Sequence, residues 1–315
     1  MAAAKCSDAD FVQLFEAHGA SKTARRLGLS VRNVYRRREN MELKIGRQLI
    51  VPDLTRGTRV GSQHPQRAPL EVQNGIVIVA SDGHYWLGAP STAHRALVKF
   101  CKELKPKAVI MNGDSLDGAT VSHHPPINWE ERPSLINEID AVKERHAEIE
   151  RAVSPKTPLI WNLGNHDARF ETRLATVAPE FARIHGFHLK DHFPRWSPAW
   201  STWINSDVVV KHRYKGGLHA PHNNTVASGK TIVTGHLHSA KVTPYTDYTG
   251  TRYGVDTGCI ADPWGPQFEY MEDNPRNWRS GFCVLKFRSG TLLQPQLAIV
   301  HDANHVDYCN ELIRV

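Results

Sequence analysis

The sequence predicts an α/β body preceded by a small all-α module, and three observations predict it. From residue 75 onward, short apolar runs alternate with amphipathic helical stretches, the signature of parallel βαβ units. Five of those runs end abruptly in Asp, Asn or His. The charge is also uneven. Residues 1–70 carry 13 Lys and Arg against 6 Asp and Glu, while the rest of the chain carries 26 of each, so the whole net charge of +7 sits at the amino-terminal end. A chain of 315 residues, 40% hydrophobic, can bury one sizeable core and a small extra domain.

Composition narrows the function classes. A mean hydropathy of −0.43 and the lack of a long apolar run argue against a membrane span and a membrane partner. The start, "MAAAKCSDADF", lacks the apolar stretch of a secretory signal. Cys6, Cys101, Cys259, Cys283 and Cys309 are odd in number and scattered, as expected of reduced thiols in a cytoplasmic protein. A basic arm on a neutral body suggests a polyanionic partner for the arm.

Residues 1–45 read as the module. Phe11, Leu14 and Phe15 fall on one face of a first helix. A second helix is expected from Ser21 to Leu27, stopped by Gly28. Ser30 can cap a third, with Val31, Val34 and Tyr35 inward and Arg32, Asn33, Arg36 and Arg37 outward. Ala24, Gly28 and Val34 lie where helix-turn-helix proteins place a small residue, a turn glycine and an inward aliphatic. Over these 30 or so residues the chain resembles that family. The resemblance implies a DNA partner, with Arg32, Asn33, Arg36 and Arg37 reaching base edges or phosphates. Residues 46–72, rich in Pro, Gly, Arg and polar residues and without a period, read as a linker.

The body is expected over 73–315. Its five runs are "GIVIVASDGH", "AVIMNGD", "PLIWNLGNHD", "DVVVKH" and "KTIVTGHLH". A helical stripe of Ala96, Leu97, Phe100, Cys101 and Leu104 separates the first two. Another, Ile136, Ile139, Val142, His146, Ile149 and Val153, separates the second from the third. Open α/β sheets gather ligands at the carboxyl ends of their strands, so residues there can converge although distant in sequence. Those ends offer Asp82, His84, Asp114, Asn165, His166, His212, His236 and His238. Mixed carboxylate and imidazole donors suit Mn, Fe or Zn better than Mg or Ca, and the set exceeds the needs of one ion. Two ions can hold a phosphate and activate water between them.

In order and spacing this set resembles the calcineurin-like metallophosphoesterase family, whose pattern is D-x-H, GD-x-x-D, GNH-[DE], a later His, and GH-x-H. Here these are "DGH" (82–84), "GDSLD" (113–117), "GNHD" (164–167), His212 and "GHLH" (235–238). The resemblance implies a layered α/β/β/α sandwich and two divalent ions, with Mn preferred over Fe, Zn or Mg. Asp82, His84 and His238 would hold the first ion and Asn165, His212 and His236 the second, with Asp114 between them. It also implies that His166 acts as general acid and that Asp117 orients it. His219, behind "KGG", is the alternative to His212. Protein Ser/Thr phosphatases of the family have Arg where this chain has Gly118, which argues against that branch. Two hairpins, turning at Thr249-Gly250 and Ser289-Gly290, would complete a second sheet. "DPWGPQFEYMEDNPRNWRSG" would form a lid, a substrate wall or a packed connection.

The expected function is a dinuclear phosphodiesterase, a nuclease brought to DNA by its amino-terminal module. The alternative is a phosphomonoesterase or nucleotide hydrolase whose module serves only localisation or assembly. A DNA-binding regulator with an inactive body is the third reading. A complete ligand set argues against it.

Overall fold

The computed structural model describes residues 6–47, 49, 64–124, 129 and 131–315. The chain divides into two compact units, residues 1–62 and 63–315.

The first unit is helical, with α1 at Asp8–Leu27 and α2 at Val31–Ile45. Ser7 and Asp10 cap the start of α1 reciprocally. Gly19, at φ 71° and ψ 175°, interrupts α1 and splits it into two arms, the second covering the helix expected from Ser21 to Leu27. Gly28 ends that arm in the left-handed region, and the Ser30 hydroxyl accepts from the Asn33 N–H to start α2. Phe11, Phe15, Ala24, Leu27, Val34, Met41 and Leu49 make the core.

Two inward expectations for α2 are corrected. Val31 and Tyr35 are exposed, at 41% and 47%. The buried stripe runs instead through Val34 and Met41, and arginine side chains close its flank. Arg38 lies over Phe15 and Arg37 over Phe11. Arg37, expected to face outward, also donates to the Cys6 carbonyl and to Asp8. So small a core lacks enough aliphatic residues to cover two phenylalanine rings, and guanidinium planes do it.

The second unit opens with β1 (Ala68–Leu70), β2 (Gly75–Ala80), α3 (Thr92–Leu104), β3 (Ala108–Asn112), α4 (Leu135–Ala152) and β4 (Leu159–Asn162). Then follow α5 (Asp167–Val177), α6 (Leu189–His192), β5 (Ser197–Ala199), β6 (Thr202–Ile204), β7 (Val208–Val210), α7 (Ala220–Ser228) and β8 (Thr231–Thr234). β9 (Lys241–Asp247), β10 (Gly250–Asp256), β11 (Gly281–Arg288), β12 (Thr291–Leu292), β13 (Gln296–Asp302), β14 (His305–Tyr308) and β15 (Glu311–Arg314) complete it. One sheet has the order β15-β14-β13-β11-β2-β3-β4-β5, with β12 beside β11. The other has the order β1-β6-β7-β8-β10-β9.

Strand alternation assigns the faces. Ile78, Ala80, Val109, Met111, Leu159 and Trp161 point into a core shared with α3 and α4. Val77, Val79, Ile110 and Ile160 point the other way, onto Ile204, Val208, Val210, Val233 and Val255 of the second sheet. Both faces of β2, β3 and β4 are thus covered, which is why their sequences are continuous apolar runs. Helix α7 packs on β8, β9 and β10. The result is a mixed α/β structure of two sheets. Its strands β2 to β5 are parallel, as the alternating pattern predicts.

Three details differ from expectation. β1 falls inside the stretch read as linker yet pairs with β6, and Val72 is buried; residues 48 and 50–63 of that stretch lie outside the described residues. The hairpin β9–β10 joins the second sheet, but β11 pairs antiparallel with β2, so the last five strands extend the first sheet. The edge of β2 that β3 leaves free needs a partner, and β11 supplies it. Ile136, in the first turn of α4, is 57% exposed while Ile139, Val142, His146 and Ile149 are buried.

Candidate metal centre

The five loops that carry the candidate donors come from both sheets: three follow β2, β3 and β4, and two follow β7 and β8. Backbone hydrogen bonds stitch them together. The Asp82 N–H donates to the Gly113 carbonyl, the His84 N–H to the Asp114 carbonyl, and the Gly235 N–H to the His212 carbonyl. This stitching holds a strained backbone. Asp82, His84, Asp114, His236 and His238 all have φ between 39° and 72°. In that region a side chain costs about 1 kcal/mol or more, and such strain collects at functional sites.

Two glycines are required by close approach. A Cβ on Gly164 would lie 2.0 Å from Asp114 Oδ1, and one on Gly235 would lie 2.4 Å from Asp82 Oδ2. Asp167 ties the third loop to the second. Its carboxylate accepts the N–H groups of Asp114, Leu116 and Gly164 and the indole N–H of Trp161. It supports the turn and takes no place among the donors.

Three groups of donor atoms converge, each within 4.8 Å: Asp82, His84 and His238; Asp114, His212 and His236; and His84, Asp117 and His166. His238 Nε2 is 3.0 Å from Asp82 Oδ1, and His84 Nε2 is 3.9 Å from it. His212 Nε2 is 2.9 Å from Asp114 Oδ2 without hydrogen-bond geometry, and 4.0 Å from Asp82 Oδ1. Donors about 2.1 Å from a shared ion stand about 3 to 4 Å apart, so the spacings fit. Buried His84 Nε2, His212 Nε2 and Asn165 Oδ1 also have no hydrogen-bond partner among the described residues. Polar atoms left so in a core are rare, and bound cations would satisfy them. Electrostatics agree. Burial opposes charge on His212, yet the Asp114 and Asp82 carboxylates outweigh it and push its pKa to about 10. The carboxylates demand positive charge, which divalent ions would supply. The residues therefore fit a divalent-metal pair.

Of the two fourth-loop candidates, His212 is in the cluster. His219 is exposed at the start of α7, in none of the three groups. His222 meets the Tyr245 ring edge-on at 5.6 Å. His123 and His124 form an exposed pair with tilted rings.

Asp117 serves two histidines. Its Oδ1 lies 3.0 Å from Nδ1 of His166 and 3.0 Å from Nδ1 of His84. Both imidazoles thus donate from Nδ1 and turn Nε2 inward. Burial raises the Asp117 pKa, but these two hydrogen bonds overcome it and hold the carboxyl well below its usual range. Burial likewise lowers His166, but Asp114 and Asp117 reverse the sign and leave its pKa raised.

Sequence reasoning missed Arg169. It sits three residues after His166, on the same face of α5, with Nη1 2.9 Å from the Asp117 carbonyl and Nη2 3.1 Å from His166 Nε2. The i, i+3 spacing after "GNH" is the signal that could have found it. Phe268 and Trp278 were missed as individuals. Phe268 is fully buried against the rings of His84 and His238, and Trp278 packs on His238.

No protein-family model and no curated protein matches the sequence. Solved structures to which the chain is similar include a zinc-complexed Vps29 from Entamoeba histolytica, at 13% identity and TM-score 0.40, covering 76% of this chain and 98% of that one. A novel archaeal phosphodiesterase is similar at 14% identity and TM-score 0.34, covering 71% and 99%. A protein serine/threonine phosphatase from Saccharomyces cerevisiae is similar at 13% identity and TM-score 0.37, covering 78% and 87%.

Proposed function

We propose that the second unit is a dinuclear, divalent-metal-dependent phosphoesterase of the calcineurin-like kind. The observation that carries this is the pair of donor groups, Asp82/His84/His238 and Asp114/His212/His236, with the His166–Asp117 pair against them. Asp82, His84 and His238 would hold one ion and Asn165, His212 and His236 the other, with Asp114 between. When bound, such ions supply the charge that holds a phosphate and polarises water for in-line attack.

The chain's own residues do the rest. His166, whose pKa burial lowers but Asp114 and Asp117 raise, would donate from Nε2 to the leaving oxygen. Asp117 fixes the tautomer through Nδ1. Arg169, beside Nε2, binds a non-bridging phosphate oxygen and leaves the proton of His166 to the leaving group.

We infer further that the substrate is a phosphodiester in DNA and that the first unit recruits the enzyme to it. All of the net charge lies in residues 1–70. Arg32, Asn33 and Arg36 are exposed on α2 as the reading requires, whereas Arg37 acts within the unit. Manganese is the preferred metal.

Purified protein with Mn²⁺, assayed on para-nitrophenyl phosphate, its bis ester, and single- and double-stranded DNA, tests the reading. Diester and DNA hydrolysis are expected. Monoester turnover alone, under every metal, would reject the nuclease and leave the phosphomonoesterase. His166→Ala should lower turnover about 100-fold or more while metal content stays normal. Loss of metal in that variant would make His166 a ligand.

A further inference from the structure

Two chains of edge-on ring contacts lead out of the donor cluster, and each ends in an exposed aromatic. In the first, the ring centroids of Trp278 and His238 are 4.5 Å apart. The Arg276 guanidinium then lies 5.5 Å from the Trp278 ring and 4.9 Å from that of Trp264, which is 76% exposed. In the second, Phe268 stands 5.2 Å from His84, and Tyr270, 43% exposed, stands 6.3 Å from Phe268. Beyond the two histidines, the residues of both chains come from one segment, residues 262–279, between β10 and β11.

The inner side of that segment is anchored. Phe268 is fully buried. The Arg279 N–H donates to the His238 carbonyl at 2.7 Å, and Arg276 donates to the carbonyls of Pro263 and Phe268. Its outer side nevertheless leaves a tryptophan and a tyrosine in water. Large rings held on an anchored segment beside a phosphate-binding site have a direct physical use. Every nucleobase has a π-face, and stacking on a fixed ring requires no pairing partner. Cationic groups accompany these rings. Arg276 is behind Trp264, and Arg169 is beside His166.

We propose that residues 262–279 form a base-stacking wall, on which nucleobases flanking the scissile phosphate of single-stranded DNA rest against Trp264 and Tyr270. The proposal rests on the phosphodiesterase reading and adds to it that the preferred substrate is an unpaired strand with its bases present. Bases inside a duplex are stacked on one another and cannot use the wall.

The test is binding to the full-length protein in EDTA, followed by tryptophan fluorescence. A 15-nucleotide thymidine strand is compared with an abasic strand of equal length and charge. The base-bearing strand should bind roughly tenfold more tightly, the strength of one or two stacked bases. The double variant Trp264→Ala, Tyr270→Ala should lose that preference while still binding both strands through phosphate contacts. Trp264→Phe should retain most of it. Equal affinity for the two strands, or a preference that survives the double variant, overturns the wall. Hydrolysis of bis(para-nitrophenyl) phosphate with Mn²⁺ is measured in parallel. Its absence rejects the phosphodiesterase reading without touching the binding result, and its presence with no base preference rejects the wall alone.

Discussion

Asp117 carries more of the site than its place in "GDSLD" suggests. One oxygen accepts from both His84 and His166, so the carboxylate sets the tautomer of a candidate ligand and of the candidate acid together. Asp117→Asn would keep the size but place a donor, or a weaker acceptor, against two Nδ1–H groups. The expected result is a loss of metal affinity of about 10- to 100-fold, together with a fall in turnover larger than the metal loss explains. Metal titration followed by kinetics at saturating Mn²⁺ separates the two effects. Unchanged affinity would show that His84 does not depend on Asp117. Spacing alone could reveal the partnership with His166, but the one with His84 depends on how two loops from different strands approach.

At the scale of elements, the loop after β3 is tied to helix α4 through Glu138. Its carboxylate accepts the N–H groups of Gly118 and Ala119 while fully buried. Burial, reinforced by Asp117, outweighs these hydrogen bonds and pushes its pKa up from 4.5 to about 7. The folded state therefore holds this proton more tightly than the unfolded chain. The contribution to stability is fully present below the unfolded value and is lost as pH rises through the folded one. Between about pH 5 and about pH 8 the urea midpoint should fall, by the equivalent of ~2 kcal/mol. Glu138→Gln should lose one hydrogen bond at every pH but show a flatter profile across that window. A variant as steep as the parent would assign the pH dependence elsewhere. Sequence placed α4 correctly because its apolar stripe is local. It could not show that Glu138, an ordinary helix residue by spacing, is buried under a loop twenty positions upstream.

At the scale of the molecule, the proposed function divides between two units. Removing residues 1–62 should leave hydrolysis of small esters intact, since every candidate donor belongs to the second unit. The same deletion should weaken DNA binding and reduce its dependence on salt, as fewer phosphate contacts release fewer counterions. Equal affinity and salt slope with and without those residues would end the recruitment reading. Metal should also stabilise the body by mass action. At about 100 times its dissociation constant, Mn²⁺ adds ~2.7 kcal/mol, read as a rise in melting temperature that EDTA reverses.

The apolar runs, the turns after them and the residue types at their ends were legible in the chain itself, because a strand buried on both faces leaves a continuous local pattern. The same holds for the Ser30 cap and the Gly28 stop, which act within a few residues. Other features follow from contacts between distant segments. The donors of two sheets meet at one place, β11 rather than the second sheet completes the edge of β2, and Arg169, Phe268 and Trp278 close around the histidines. Each depends on strand register, sheet packing and loop approach, quantities set by the whole core and written in no single stretch of sequence.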